Sequence, residues 1–209
     1  MTRIAKKAGV YHHGNLRSVL LETAARVIEK EGVSAVSLHA LTRRAGVSSG
    51  AAYHHFASRE QLLAAVAAQG FTLLVSEMRR VVDGLEQDPL AYLEGLGRAY
   101  VQFALAHPGH FRVMFRAELR AQLTKEERDT ADEALNLLQQ AIVRCQQAGC
   151  IAPGEVGPLA LLAWSAVHGA SELWIEGSLS DKGLVRDEKT LARTIAGTLI
   201  RLMTGQLRP

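Results

Sequence analysis

Cysteine is nearly missing from this chain, with Cys145 and Cys150 as its only two. Two thiols are too few for a disulfide framework and too few for a zinc site built from thiolates. Proline is sparse, with five in 209 residues, and aromatic residues make up only 5%. No run of about 18 uncharged apolar residues is found, so a membrane-spanning helix and a membrane partner are not expected. The start, Met1 to Val10, is basic and leads into Tyr11-His-His-Gly14 with no apolar run, unlike a secretory leader. A cytoplasmic protein is the simplest reading. Enzyme signatures are absent too: no Gly-rich phosphate loop, no G-x-S-x-G elbow, no H-E-x-x-H and no kinase motif. His107, His110 and His168 lack a nucleophile and an orienting partner in sequence, so an enzyme is not expected. His168 and Glu172 stand four apart, a spacing two metal ligands can use, but no third ligand accompanies them. No metal and no cofactor is predicted.

The chain does have enough apolar substance for a core, at 48% hydrophobic against 22% charged residues. Strict alternation is missing, and apolar residues recur at three and four. Leu63, Ala67, Gly70, Leu74, Met78, Val81 and Leu85 form one such stripe. Others run through Ala131 to Cys145, Leu159 to Leu173 and Leu191 to Leu202. Caps and breakers separate them. Asn15, Ser37, Asp187 and the pair Asp88-Pro89 read as helix starts. Ser58-Arg-Glu-Gln61 and Thr124-Lys-Glu-Glu127 have capping-box spacing. Gly46, Gly149 and His107-Pro-Gly109 read as stops, and Pro153 with Pro158 brackets another start. The reading is all-α, with about nine helices. It divides into residues 1–57, an N-terminal arm with a three-helix helix-turn-helix domain, and 58–209, a C-terminal helical bundle. The helix starting near 58 joins them.

Charge is unevenly spread. Residues 1–60 hold nine Lys and Arg against four Glu, while the rest of the chain is slightly acidic. Five of the eight His also lie in that first stretch. A basic end on a mildly acidic body points to a polyanion partner. Residues 37–56 give that partner a shape. Leu38, Leu41 and Ala45 form the inner face of a short helix, and Gly46 allows a tight left-handed turn. Val47 returns to the core, and Ser48 or Ser49 caps a second short helix reaching about His54. This is a helix-turn-helix layout. Its second helix is rich in small residues, which suits close approach to a DNA groove.

Ala45-Gly-Val-Ser-Ser-Gly-Ala-Ala-Tyr-His-His-Phe56, followed by Ser58-Arg-Glu-Gln-Leu-Leu63, resembles the DNA-binding domain of the tetracycline-repressor (TetR) family of bacterial transcriptional regulators. Thr42 and Arg59 depart from the alanine and lysine usual there. Tyr11-His-His-Gly-Asn-Leu-Arg17, His107-Pro-Gly-His-Phe-Arg-Val-Met-Phe115 and Trp164-Ser-Ala-Val-His-Gly169 resemble one branch of that family, marked by a tryptophan–histidine–glycine signature. The resemblance implies a homodimer that pairs its last two helices, near 155–177 and 187–205. It also implies a double-stranded palindromic DNA operator as partner. The small residues Ala163, Ala166, Gly169 and Ala170 agree with close helix pairing.

On this reading the DNA-binding candidates are Arg43, Arg44, Ser48, Ser49, Gly50, Ala51, Ala52, Tyr53, His54, His55 and Arg59. The resemblance makes Tyr53 a phosphate or base contact; the other role for its ring is partial burial under Phe56. Arg43 and Arg44 can contact phosphate or offset the dipole at their helix end. One of His54 and His55 is expected to face phosphate and the other solvent. Arg59 sits beside the free amides of a helix start, which favours an anion. Lys6, Lys7, Tyr11, His12 and His13 could reach DNA as an arm. In the body, Tyr100, Phe103, His107, His110, Phe111, Met114, Phe115, Trp164 and His168 suit a mostly apolar pocket with a few polar groups. Core packing is the alternative for each. The function expected is a ligand-responsive regulator, released from its operator by a small apolar or aromatic effector. The alternative is a DNA-binding regulator with no small-molecule ligand.

Overall fold

A computed structural model describes residues 16–179 and 182–206. Among these, ten α-helices and one 3-10 turn occur and no strand. Helix α1 is Leu16–Glu31, followed by the 3-10 turn Val33–Ala35. Then come α2 (Leu38–Ala45), α3 (Ser49–Tyr53) and the long α4 (Arg59–Val82). The body continues with α5 (Pro89–Ala106), α6 (Pro108–Met114), α7 (Ala117–Arg120), α8 (Lys125–Gln147), α9 (Val156–Ile175) and α10 (Glu188–Met203). The helix beyond the nine expected is α7, a single turn with no apolar stripe to announce it. Asn15 and the arm residues Lys6, Lys7, Tyr11, His12 and His13 lie outside the described residues.

The caps work through local hydrogen bonds. Ser37, Ser58, Asp88 and Asp187 each accept from the backbone N–H three residues on, at 2.8–3.2 Å. Thr124 and Glu127 make the reciprocal capping box, at 3.2 and 2.8 Å. At Ser58 the return bond is displaced by one residue: Gln61 Oε1 accepts from the N–H of Ala57. Gly46 closes α2 with φ of 69°, a conformation that costs a residue with a Cβ about 1–2 kcal/mol. Ser48 stands at the N-cap of α3 but makes no side-chain cap bond.

Two hydrophobic clusters fill the molecule. Leu20, Ile28, Leu41, Phe56, Leu62 and Val66 belong to the first. Phe71, Leu74, Leu96, Phe103, Ile142 and Leu191 belong to the second. Helix α4 passes from one into the other between Ala68 and Phe71. By length and composition α4 is apolar enough to cross a membrane, although Glu77 and Arg79 interrupt its uncharged run. More than half of that apolar stretch is buried, so its apolarity has a use inside the protein. Helix α6 is shared as well: Val113 belongs to the first cluster, Phe111 and Met114 to the second.

The contact of α6 with α1 is backbone-close. A Cβ built on Gly109 would collide with the carbonyl oxygen of Ala25. Nearby, the Arg112 guanidinium donates to the carbonyls of Glu29 and Ile28, at 2.9 and 3.3 Å, and to Glu176 at the end of α9, at 3.1 Å. The two carbonyls lie in the last turn of α1, where helix acceptors lack partners within the helix. Arg112 thus ties the end of α1 to α6 and α9.

His110, also on α6, is buried, and its Nε2 lies 3.2 Å from Gln69 Oε1 on α4. Burial pushes its imidazole down to about 4, with the neighbouring His107 adding to the shift. The folded protein therefore resists protonation here while the unfolded chain, at the ordinary value of 6.5, accepts it.

Two outcomes follow. Gly109→Ala should lower unfolding stability by about 1–3 kcal/mol in urea titration, because backbone and not a flexible side chain blocks the methyl. Stability should be full above pH 6.5 and should fall as pH drops towards 4. His110→Gln should flatten part of that slope, as read from urea midpoints at several pH values.

Candidate DNA-facing surface and cavity

The helix-turn-helix presents a mixed set of candidates. Arg43, Ser48, Gly50, Tyr53, His54 and His55 are exposed, with Tyr53 at 58%. Ser49 opens α3, and Ala51 is half-buried. Phe56 is buried in the first core and does not cover Tyr53, so the ring of Tyr53 stands outward. Three candidates depart from the expected placement. Ala52 is fully buried in the first core, because α3 must turn one face inward to pack at all. Arg44 is exposed but makes a bidentate pair with Glu31, at 2.6 and 2.8 Å, which ties α2 to the end of α1. Arg59 does not wait for an anion. Its Nε and a terminal nitrogen donate to the carbonyls of Val36 and Val33, at 2.8 and 2.7 Å. Those carbonyls belong to the 3-10 turn and its exit; that of Val33 also accepts from the Val36 N–H at 3.3 Å, and Arg59 adds a shorter bond to each. Arg59 is thereby a strut between α4 and the turn after α1.

The body contains a cavity of about 630 Å³, within the size range of small-molecule sites. Leu74 and Met78 of α4, Leu93 and Leu96 of α5, Leu135 and Leu138 of α8, and Ile200 and Met203 of α10 line it. Of the residues singled out in sequence, Tyr100, Met114, Phe115, Trp164 and His168 line it. Four do not. Phe103 is 2% exposed and stacks on His107, with ring centres 5.2 Å apart. His110 faces Gln69. Phe111 lies behind the wall, against Tyr100, Phe115 and His168, with centres 5.0–6.0 Å apart. A shared helical stripe could not separate lining residues from those behind them. The aliphatic walls from α4, α8 and α10 were missed because each belongs to an ordinary core stripe.

Three polar side chains of the wall form one chain of bonds. Trp164 Nε1–H lies 3.3 Å from the Tyr100 hydroxyl oxygen, which lies 2.8 Å from His168 Nδ1. Burial raises the Tyr100 phenol, so it stays protonated. Burial lowers the His168 imidazole, which Glu172 only partly offsets, so it stays neutral near pH 7. Arg120 and Asp132 are the charged pair of the wall and bond each other at 2.7 Å. Cys145 lies elsewhere, buried, donating to the Pro89 carbonyl at 3.1 Å, with its thiol pushed up to about 11 by burial. Among the described residues, no cluster of three or more His, Cys, Asp or Glu could hold a metal ion.

The last two helices also differ in part from expectation. Ala163 and Ala170 face the core, not outward. The outward face of α9 carries Leu161, Leu162 and Leu173, each 49–62% exposed, and Leu202 of α10 is 53% exposed. Around Gly169 a Cβ would meet nothing within 4 Å.

Comparison with known proteins gives this arrangement a context. Residues 20–66 match the family of bacterial regulatory proteins called tetR, and residues 93–199 match the tetracyclin repressor-like C-terminal domain. The chain is 31% identical over 98 residues to the HTH-type regulator YobS of Bacillus subtilis, spanning 47% of this chain and 50% of that protein. It is 31% identical over 124 residues to the HTH-type repressor KstR2 of Mycobacterium tuberculosis, 59% of this chain and 60% of that protein. The structure of that ketosteroid regulator superposes with a TM-score of 0.70 at 20% identity, covering 94% and 97% of the two chains. A Rhodococcus protein of unknown function is 32% identical, with a TM-score of 0.77 over 94% of this chain and all of that one. A helix-turn-helix matched at one end, a C-terminal domain matched over 107 residues, and a relative alike along its whole length lead to one conclusion: this chain belongs to the tetR family of bacterial transcriptional regulators.

Proposed function

We propose that this protein is a cytoplasmic homodimeric repressor that leaves a palindromic operator when a small, mainly apolar effector enters the cavity. One observation carries this reading: the cavity is walled in part by α4, whose other half is built into the core of the helix-turn-helix. An effector that shifts Leu74 or Met78 moves the same rod that carries Leu62 and Val66. Release requires that the effector bind the two helix-turn-helix spacings with different affinity. The ketosteroid named for KstR2 is a largely apolar molecule, in keeping with walls of Leu, Met and Phe.

DNA contact falls to the exposed set Arg43, Ser48, Gly50, Tyr53, His54 and His55, with Ser49 and Ala51 beside them. Two copies would place these sets in successive major grooves. The dimer would form through Leu161, Leu162, Leu173 and Leu202, apolar side chains left exposed on α9 and α10.

The test is operator binding by fluorescence anisotropy, using DNA from upstream of its own gene. A dimer with about 6–10 phosphate contacts should lose 10³–10⁵ in affinity between 50 and 200 mM salt. Tyr53→Ala should weaken binding roughly three- to tenfold, the worth of about one hydrogen bond. Arg59→Ala should lower thermal stability before it alters binding. Gly169→Leu should leave the monomer folded, since space surrounds it, yet weaken self-association in sedimentation. A flat salt response, or a monomer that binds as tightly as the dimer, would sink the reading.

A further inference from the structure

We infer that the effector is an uncharged apolar molecule carrying one carbonyl-type hydrogen-bond acceptor, held by His168 Nε2–H; this rests on the cavity being the effector site. The argument is a count of donors and acceptors. Trp164 Nε1 has a proton and no lone pair to offer, so it donates to the Tyr100 oxygen. Tyr100 is buried at 5% exposure, and among the described residues its own proton has one acceptor within reach, His168 Nδ1. A proton on Nδ1 would strand the hydroxyl proton of Tyr100 without a partner, at a cost of about a full desolvation penalty. Nδ1 is therefore the acceptor, and the proton of the neutral ring sits on Nε2. Among the described residues, no protein acceptor meets that Nε2–H. His168 lines the cavity, so the wall offers a fixed donor to whatever enters.

The charges decide between a neutral acceptor and an anion. Arg120 and Asp132 of the wall neutralise each other at 2.7 Å. Glu172, one helical turn from His168, acts electrostatically on the imidazole and would repel a carboxylate placed there. An anion would have to open the Arg120–Asp132 pair or sit against Glu172. A ketone, ester or amide oxygen needs neither. The remaining walls, Leu74, Leu96, Leu135 and Met203 among them, give the apolar body its place.

The experiment measures displacement of 1-aminoanthracene fluorescence from the full chain by three compounds of one shape: 2-acetylnaphthalene, 2-isopropenylnaphthalene and the anion 2-naphthoate. The ketone should bind about three- to tenfold tighter than the hydrocarbon, and 2-naphthoate should bind weakest. Tyr100→Phe frees His168 to take either tautomer while keeping the ring, and should shrink the ketone's advantage towards unity. His168→Leu should abolish it while retaining hydrocarbon binding. Circular dichroism checks that both variants are folded, and either one suffices. Equal binding of ketone and hydrocarbon, an advantage unchanged in Tyr100→Phe, or tightest binding of 2-naphthoate overturns the inference while leaving the cavity reading in place. Failure of 1-aminoanthracene and all three compounds to bind overturns the cavity reading and the inference with it.

Discussion

The rest of this structure depends on α4 belonging to two cores at once. Its first half is buried among α1, α6 and α7, and its second half is packed against α5 and α8. A helix hydrophobic on most of its surface is stable only when enclosed, and this one is enclosed by both ends of the molecule. The two ends therefore cannot move independently without exposing part of it. Helix α6 repeats the device at smaller scale, with Val113 on one side and Phe111 and Met114 on the other. Gly109 lets it lie against the backbone of α1, and Arg112 fastens that contact with three hydrogen bonds.

On the proposed function, this shared packing gives the cavity its mechanical meaning. The cavity touches α4 and α6 through Leu74, Met78, Met114 and Phe115. Close-packed interiors transmit displacement because they have little slack to absorb it. The polar groups in the wall serve a different end. Trp164, Tyr100 and His168 satisfy one another so that a single donor remains, and aromatic rings hold the imidazole on its flanks, with Phe115 edge-on at 4.8 Å. Fixed donors select by what they leave unpaired: a guest lacking an acceptor leaves the Nε2–H buried without a partner.

The arginines show how the same residue type divides its labour. Arg43 is exposed beside the turn. Arg59 spends its nitrogens on the carbonyls of Val33 and Val36, and Arg112 on those of Ile28 and Glu29. Helix ends and 3-10 turns leave carbonyl lone pairs open, and a planar guanidinium can take two of them together. A basic N-terminal stretch thus contributes to internal bracing as well as to a surface that can meet DNA.

The sequence by itself determined where most helices begin and end, the left-handed turn at Gly46, and the all-helical class. Those features rest on bonds spanning three or four residues, such as Ser37 to Ala40 or Thr124 to Glu127, so neighbours in sequence suffice. The buried place of Phe56 was legible too, because an apolar ring just after a short helix has one side to go to. Tertiary structure alone decided which residues wall the cavity. Phe103 and Tyr100 share a stripe, yet only Tyr100 reaches the wall, and Leu135, Leu138 and Met203 come to it from helices far along the chain. It also decided that Ala52 turns inward and that Arg59 braces a turn 23–26 residues away. Periodicity names the buried face of a helix; which neighbour that face meets, and whether space remains between them, depends on how helices distant in sequence are assembled.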